Sequence, residues 1–275
     1  MVELRTGNIQ IGDSVSPINY AMVKSEPSLK LVDSPSGITQ WMSFNVTKPP
    51  FDNEKLRAAI LTAIDRDALN KVVTLGLGTV VPSLAAPNDW FYDASIPYPK
   101  YDPAAAKTML AAAGYPNGLK TTMSIIQREP DTQIGQLMQA QLKQVGVEVD
   151  LQILERQAWL DKVNACGYDM AQLRIGLPRP DPANTFGPSF GTGGANNWDC
   201  IKDNELFTIT DNAGKSIDQA KRKASYLQIQ QMVNAHSYYA FLFFRPIAYP
   251  MSTKVQAFPM DVDGAWRLGE VKLAP

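Results

Sequence analysis

Covalent catalysis needs groups that attack, exchange protons or hold a metal at workable spacings, and this chain supplies few of them. It has one histidine, His236, near an expected helix end with no serine or cysteine motif beside it. There is no G-x-S-x-G nucleophile elbow, no phosphate-cradling G-x-x-x-x-G-K-[ST] loop and no His/Cys cluster at metal spacing. Gly76 and Gly78 lack the third glycine of a dinucleotide fingerprint. Asp65 and Asp67 offer a carboxylate pair, but helix capping explains both. A carbohydrate- or peptide-acting hydrolase is therefore only the alternative reading; the chain is expected to be no enzyme and to use no cofactor or metal. Cys166 and Cys200 admit two readings: a disulfide closing a loop of about 34 residues, or two unpaired buried thiols.

The elements that would position a binding site are easier to read. At 275 residues with 45% hydrophobic and 19% charged residues, the chain has the composition of a globular protein with a sizeable core. A net charge of -1 and the lack of a Lys/Arg run argue against a nucleic-acid partner. No apolar run approaches the ~20 residues of a membrane span. The opening MVELRTGNIQIGDS has no basic segment followed by an apolar one, so no signal peptide is expected there.

Strand-like runs lie at 9–11, 29–32 and 40–44. From Phe44 to Leu69 the order is strand end, prolines, then two helices: Asp52 or Asn53 caps the first and Asp65 the second. Asp102-Pro103 opens an alanine-rich helix stopped by Gly114. Residues 119–175 read β-α-β-α-β, with Asp131 as a helix cap, which predicts an α/β layer with crossover helices. A Gly/Pro/Asn-rich loop follows, then helices over 204–212 and 217–234 and strands over 238–244 and 247–251.

Several of these segments resemble, in order, the extracytoplasmic solute-binding proteins of the peptide, opine and nickel importers (family 5). They are LRTGNIQIGD, PFDNEKLRAAILTAIDRDAL, YDPAAAKTMLAAAGYPNG, QLKQVGVEVDL, YDMAQLRIG with PDPANTF, and AKRKASYLQIQQMVNAHSYYAFLFFRP. The resemblance implies a type II periplasmic-binding-protein-like α/β fold, present as one nearly complete lobe plus partial strands of the other. Residues 1–45 would be a middle piece of the first lobe, 46–244 the second lobe, and 245–275 the return to the first. Phe44–Leu69 would then be the crossing, and a hinge candidate. The family's proteins are about twice this length, so Met1 would sit in mid-domain of a truncated product or one piece of a split gene.

The implied function is the substrate-binding component of an ABC importer for peptides or small carboxylated solutes, which works by lobe closure. The parent would be periplasmic or otherwise extracytoplasmic and dock a membrane permease, and the isolated half would bind its ligand weakly. A non-transport interaction or sensor lobe is a further alternative. In the peptide-binding members an arginine after a strand and before a helix holds the ligand carboxylate, and Arg128 in IIQREPD matches that place. The family's amine-binding aspartate would fall in Gly176-Leu177-Pro178-Arg179-Pro180-Asp181-Pro182, where Pro178 stands instead. Recognition of a free amine is thereby in doubt, while Arg179 adds positive charge suited to a multiply carboxylated ligand. Leu177 and Trp198 would complete the ligand-binding set as pocket walls.

Overall fold

The structure, a computed structural model, describes residues 1–177, 181–261 and 264–274. Two short helices, α1 (Val2–Thr6) and α2 (Tyr20–Ser25), precede the long strand β1 (Leu29–Phe44). Helices α3 (Glu54–Thr62) and α4 (Arg66–Thr74), the short strand β2 (Thr79–Val80) and α5 (Pro103–Ala112) follow. An alternating run comes next: β3 (Leu119–Ile126), α6 (Asp131–Gln144), β4 (Val147–Leu154), α7 (Arg156–Asn164) and β5 (Met170–Leu177). Three helices, α8 (Ala183–Phe190), α9 (Asn204–Lys215) and α10 (Gln219–Ala235), lead to a second long strand, β6 (Tyr239–Ser252). The chain finishes with β7 (Val255–Ala257) and β8 (Lys272–Leu273).

Among the described residues the main sheet has the order β2-β6-β1-β5-β3-β4. β3 runs parallel to both β4 and β5, as the β-α-β-α-β pattern requires. β5, β1 and β6 pair antiparallel. Alternation along the strands gives the sheet two buried faces. One carries Met42, Phe44, Met123 and Ile125 against α3, α4, α5 and α6, with Ile60, Leu110 and Met138 in the packing. The other carries Trp41, Leu173, Tyr239 and Phe241 against α7 to α10, with Trp159, Phe186 and Tyr226. The result is an α/β/α sandwich.

The expected caps are present with one exception. Asn53 accepts from the N–H groups of Lys55 and Leu56, Asp65 from Ala68, and Asp102 from Ala104 and Ala105. Asp131 does not cap α6: Pro130 takes that position and Asp131 is the first helical residue, its carboxylate turned toward Arg128. The loop expected after residue 177 contains α8, which carries Pro188 inside it. Its Phe186 and Phe190 are fully buried, so packing overrides the helix-breaking composition.

The separate runs at 29–32 and 40–44 are one strand, and so are those at 238–244 and 247–251. Each supplies the other's ladder, with register shifts between Asp33 and Gly37 and between Gln40 and Trp41. Gly37 permits the crossing, because a Cβ there would run into the Phe244 ring. Residues 9–11 form no strand; Ile11 makes one isolated bridge to Met251.

Beyond the irregularity at Asp33–Gly37, β1 and β6 leave the sandwich and carry three small apolar clusters. One is Leu4, Val23 and Leu29; the next is Val15, Tyr20 and Ala248; the third is Tyr249, Met251 and Val255. The stretch from Phe44 to Leu69 packs inside the sandwich: Phe44, Phe51, Leu56 and Ile60 are fully buried.

Cys166 and Cys200 are joined in a disulfide, with Cα atoms 6.2 Å apart. Both adopt the left-handed backbone conformation that side chains rarely take (φ 53° and 60°). Asn45 Nδ2 donates to the Cys166 carbonyl at 2.6 Å and ties the bridge to the end of β1.

Candidate ligand-binding site

Where β3 ends, the backbone turns through Gln127–Pro130 into α6. Arg128 N donates to the Ile126 carbonyl at 2.8 Å, and Thr132 N to the Arg128 carbonyl at 3.1 Å. This turn aims the Arg128 side chain at the first turn of α6, where its Nε donates to Asp131 Oδ2 at 2.7 Å. Asp131 is fully buried, and its Oδ1 has no hydrogen-bond partner among the described residues. A buried carboxylate in a first helical turn is favoured by the helix dipole and by its guanidinium partner. The pair thus fixes the root of Arg128 and leaves the rest of its fork half-exposed.

Arg128 lines a cavity of about 650 Å³. One wall is the turn and first residues of α6, including Glu129 and Gln133; another is the end of α4, with Val73 and Leu75. A third is the segment Ser14–Ile18, which packs beside the departing strands. The floor belongs to the sheet, through Arg174 of β5 and Arg245 of β6. In register, Arg174 lies opposite Gln40 and Arg245 opposite Ile38, both on β1. The same sheet face is apolar at Met42 and turns polar toward the cavity. There Gln172 Nε2 donates to Gln40 Oε1 at 2.7 Å, and Arg174 and Arg245 follow.

Burial holds the guanidinium pKa values of Arg174 and Arg245 below their usual range; for each, nearby Asp131 opposes the shift and Arg128 adds to it. Arg245 is 8% exposed and its buried Nε has no partner. Neither Arg174 nor Arg245 forms an ion pair among the described residues, so the cavity presents positive potential against one exposed wall carboxylate, Glu129.

Of the residues singled out from sequence, Arg128 lies on this cavity. Leu177 ends β5, its backbone opposite Gly37. Pro178 and Arg179 lie outside the described residues. Trp198 is not on the cavity wall: it packs with Trp41 and Trp159 on the other sheet face, and its Nε1 donates to Asn164 Oδ1 at 3.0 Å. Asp181 pairs with Arg222 and accepts from Ala183 N, which anchors the start of α8. His236 stacks on Tyr238 and its Nδ1 meets Glu54 Oε2 at 2.9 Å, a surface contact without a nucleophile. Arg174 and Arg245 were missed. Their signal was a charged residue inside otherwise apolar strands, AQLRIG and LFFRPI.

The profile of the family described as bacterial extracellular solute-binding proteins, family 5 middle, matches residues 1–197. Among curated relatives, the glutathione-binding protein GsiB of Pectobacterium atrosepticum is 30% identical over 269 residues, covering 93% of this chain and 51% of that protein. GsiB of Salmonella typhimurium is 36% identical over 173 residues, covering 62% of this chain and 34% of that protein. Among solved structures, the periplasmic binding protein DppA of Helicobacter pylori, in complex with the peptide STSA, superposes with a TM-score of 0.90. It is 26% identical and aligns with 100% of this chain and 54% of its own. NikA of Staphylococcus aureus, at 16% identity and a TM-score of 0.86, shares the fold over 99% of this chain and 59% of its own. The chain spans about half the length, or less, of the curated relatives it matches. These relatives are binding proteins, and no helix among the described residues is long and apolar enough to cross a membrane. With the family profile matching most of its length and the type II binding-protein fold along all of it, the chain belongs to the family 5 bacterial extracellular solute-binding proteins.

Proposed function

We propose that this chain is about half of a clamp that captures peptides or related small carboxylated solutes for an ABC importer, outside the cytoplasm. The observation that carries this is Arg128: rooted by buried Asp131, it points into a cavity walled by both the sandwich and the Ser14–Ile18 segment. A guanidinium fork suits a planar carboxylate, and an apolar wall from Val73 and Leu75 suits a side chain. The names of the relatives, glutathione- and peptide-binding proteins, agree with such a ligand.

In this reading the second lobe is the sandwich, from about Gly37 to Arg245. The first lobe holds the small clusters on either side, and β1 and β6 are the paired connection between them. A ligand touching both walls stabilises the closed arrangement, which a membrane permease then recognises. With half of the clamp's usual length, affinity should be modest. Titration of the chain with Ala-Ala-Ala and its C-terminal amide, followed by NMR, tests the anchor. The free acid should bind at least tenfold tighter, and Arg128→Gln should remove the difference; equal binding of acid and amide would refute the reading.

A further inference from the structure

We infer that the cavity takes a ligand bearing two carboxylates, the first on Arg128 and the second on Arg174 and Arg245 together. This rests on the carboxylate-anchoring role proposed for Arg128 and extends it to the class of ligand.

Charge bookkeeping on the cavity is the starting point. Among the described residues three guanidinium groups line it, and Asp131 Oδ2 accepts from the Nε of Arg128. Arg174 and Arg245 have no carboxylate partner among the described residues, and Arg245 is buried with its Nε unsatisfied. Taking a guanidinium out of water without a counter-charge is costly, and two of them sharing a floor repel each other. Of the charges that act on them, the negative one is that of Asp131, which Arg128 shares through its hydrogen bond to Oδ2, so a single buried carboxylate faces three guanidinium groups; Tyr20 adds a neutral hydroxyl beside Arg245. Glu129 stands on the wall, exposed and without an ion pair among the described residues.

Geometry makes the two arginines one site. They flank β1 on neighbouring strands, at the register positions of Gln40 and Ile38, and open onto the same cavity. Ordinary sheet spacings put their Cα atoms about 12 Å apart, so two long side chains can converge on one group between them. Arg128 reaches the same space from the β3–α6 turn, giving two separate anion positions rather than one. A guanidinium pair on a rigid sheet floor is also preorganised, which limits the ordering entropy lost on binding.

Glutarate and its monoamide, glutaramate, differ in one charge at nearly equal shape. The Nε–Hε NMR resonances of Arg128, Arg174 and Arg245 report binding even at millimolar affinity. Glutarate should bind the 275-residue chain at least tenfold more tightly than glutaramate. Arg174→Gln and Arg245→Gln should each cut glutarate binding by a larger factor than glutaramate binding and so shrink the difference between the two probes, while Arg128→Gln should weaken both. Thermal melts check folding, and Arg245→Lys, which keeps the charge but not the fork, serves if Arg245→Gln is unstable; it should lose part of the advantage. Equal affinity for the two probes in the unmodified chain, or an advantage that survives Arg174→Gln and Arg245→Gln combined, would overturn the inference and leave the Arg128 anchor standing. No shift with either probe would remove the anchor as well.

Discussion

Arg128 and Asp131 form a pair whose contribution to stability can be measured apart from the binding role proposed for the arginine. Removing the arginine strands a fully buried carboxylate, whose second oxygen already lacks a partner. Arg128→Met should therefore destabilise the chain by about 1–3 kcal/mol in urea unfolding. Adding Asp131→Asn should restore part of that loss, because the stranded charge is gone. If the double variant is as unstable as the sum of the singles, the pair is not coupled. A half-buried carboxyl, that of Asp89, sets a pH dependence. Asp89 Oδ2 accepts from Ala86 N at 2.7 Å, yet burial pushes its pKa from 3.8 up to about 6. The folded chain then holds this proton more tightly than the unfolded chain. Its contribution is greatest below pH 4 and is lost as pH rises through about 6. Asp199, wholly buried between β1 and the aromatic face, is pushed in the same direction. Comparing unfolding free energies of the wild type and Asp89→Asn from pH 3.5 to 7 should isolate this fall; parallel curves would rule it out. At this scale the sequence pointed to Arg128 as a candidate, which the structure places on a cavity wall, because a strand-to-helix position can be matched locally. Arg174 and Arg245 become a site only through the pairing of β5 and β6 across β1, which no local window contains.

At the scale of elements, capping residues and crossover order were legible because their physics is local: a side chain accepts from amides two or three residues on. The elements misread were those decided by distant partners. β1 and β6 run through Ser34-Pro-Ser-Gly37 and Pro246 because each continuous strand templates the other. α8 forms around Pro188 because two phenylalanines gain full burial. The Cys166–Cys200 bridge falls between these cases, since sequence left pairing and free thiols both open. It encloses β5 and α8 in a span of 34 residues and sits beside the end of β1. The closed span should contribute about 3–4 kcal/mol through the unfolded state. Cys166→Ser with Cys200→Ser should lower the urea midpoint accordingly, and reductant should have no further effect on that variant. An unchanged midpoint in the double variant would show that the link does not constrain the unfolded chain.

For the whole molecule, sequence order suggested a division near residue 45, where the helices begin. The sheet puts the change in packing earlier, at Asp33–Gly37 facing Ala248–Pro246, and that difference has a measurable consequence. Residues 37–44 of β1 are hydrogen-bonded between β5 and β6 and sit under both apolar layers. Residues 29–33 pair with β6 alone among the described residues and rest on clusters of a few side chains. Opening the outer pair exposes little apolar surface, whereas opening the inner segment dismantles the core. Native-state hydrogen exchange across a denaturant series should therefore show amides of 37–44 exchanging only through global unfolding. Amides of 29–33 and 248–252 should exchange through a smaller opening, of lower free energy and shallower denaturant slope. A ligand bridging the sandwich and the Ser14–Ile18 wall should raise protection in the outer segment more than in the inner one, since only the outer opening releases it. Equal exchange energies along all of β1 would mean that the two parts unfold as one unit. The paired strands would then be a rigid spine rather than a connection on which a clamp could close.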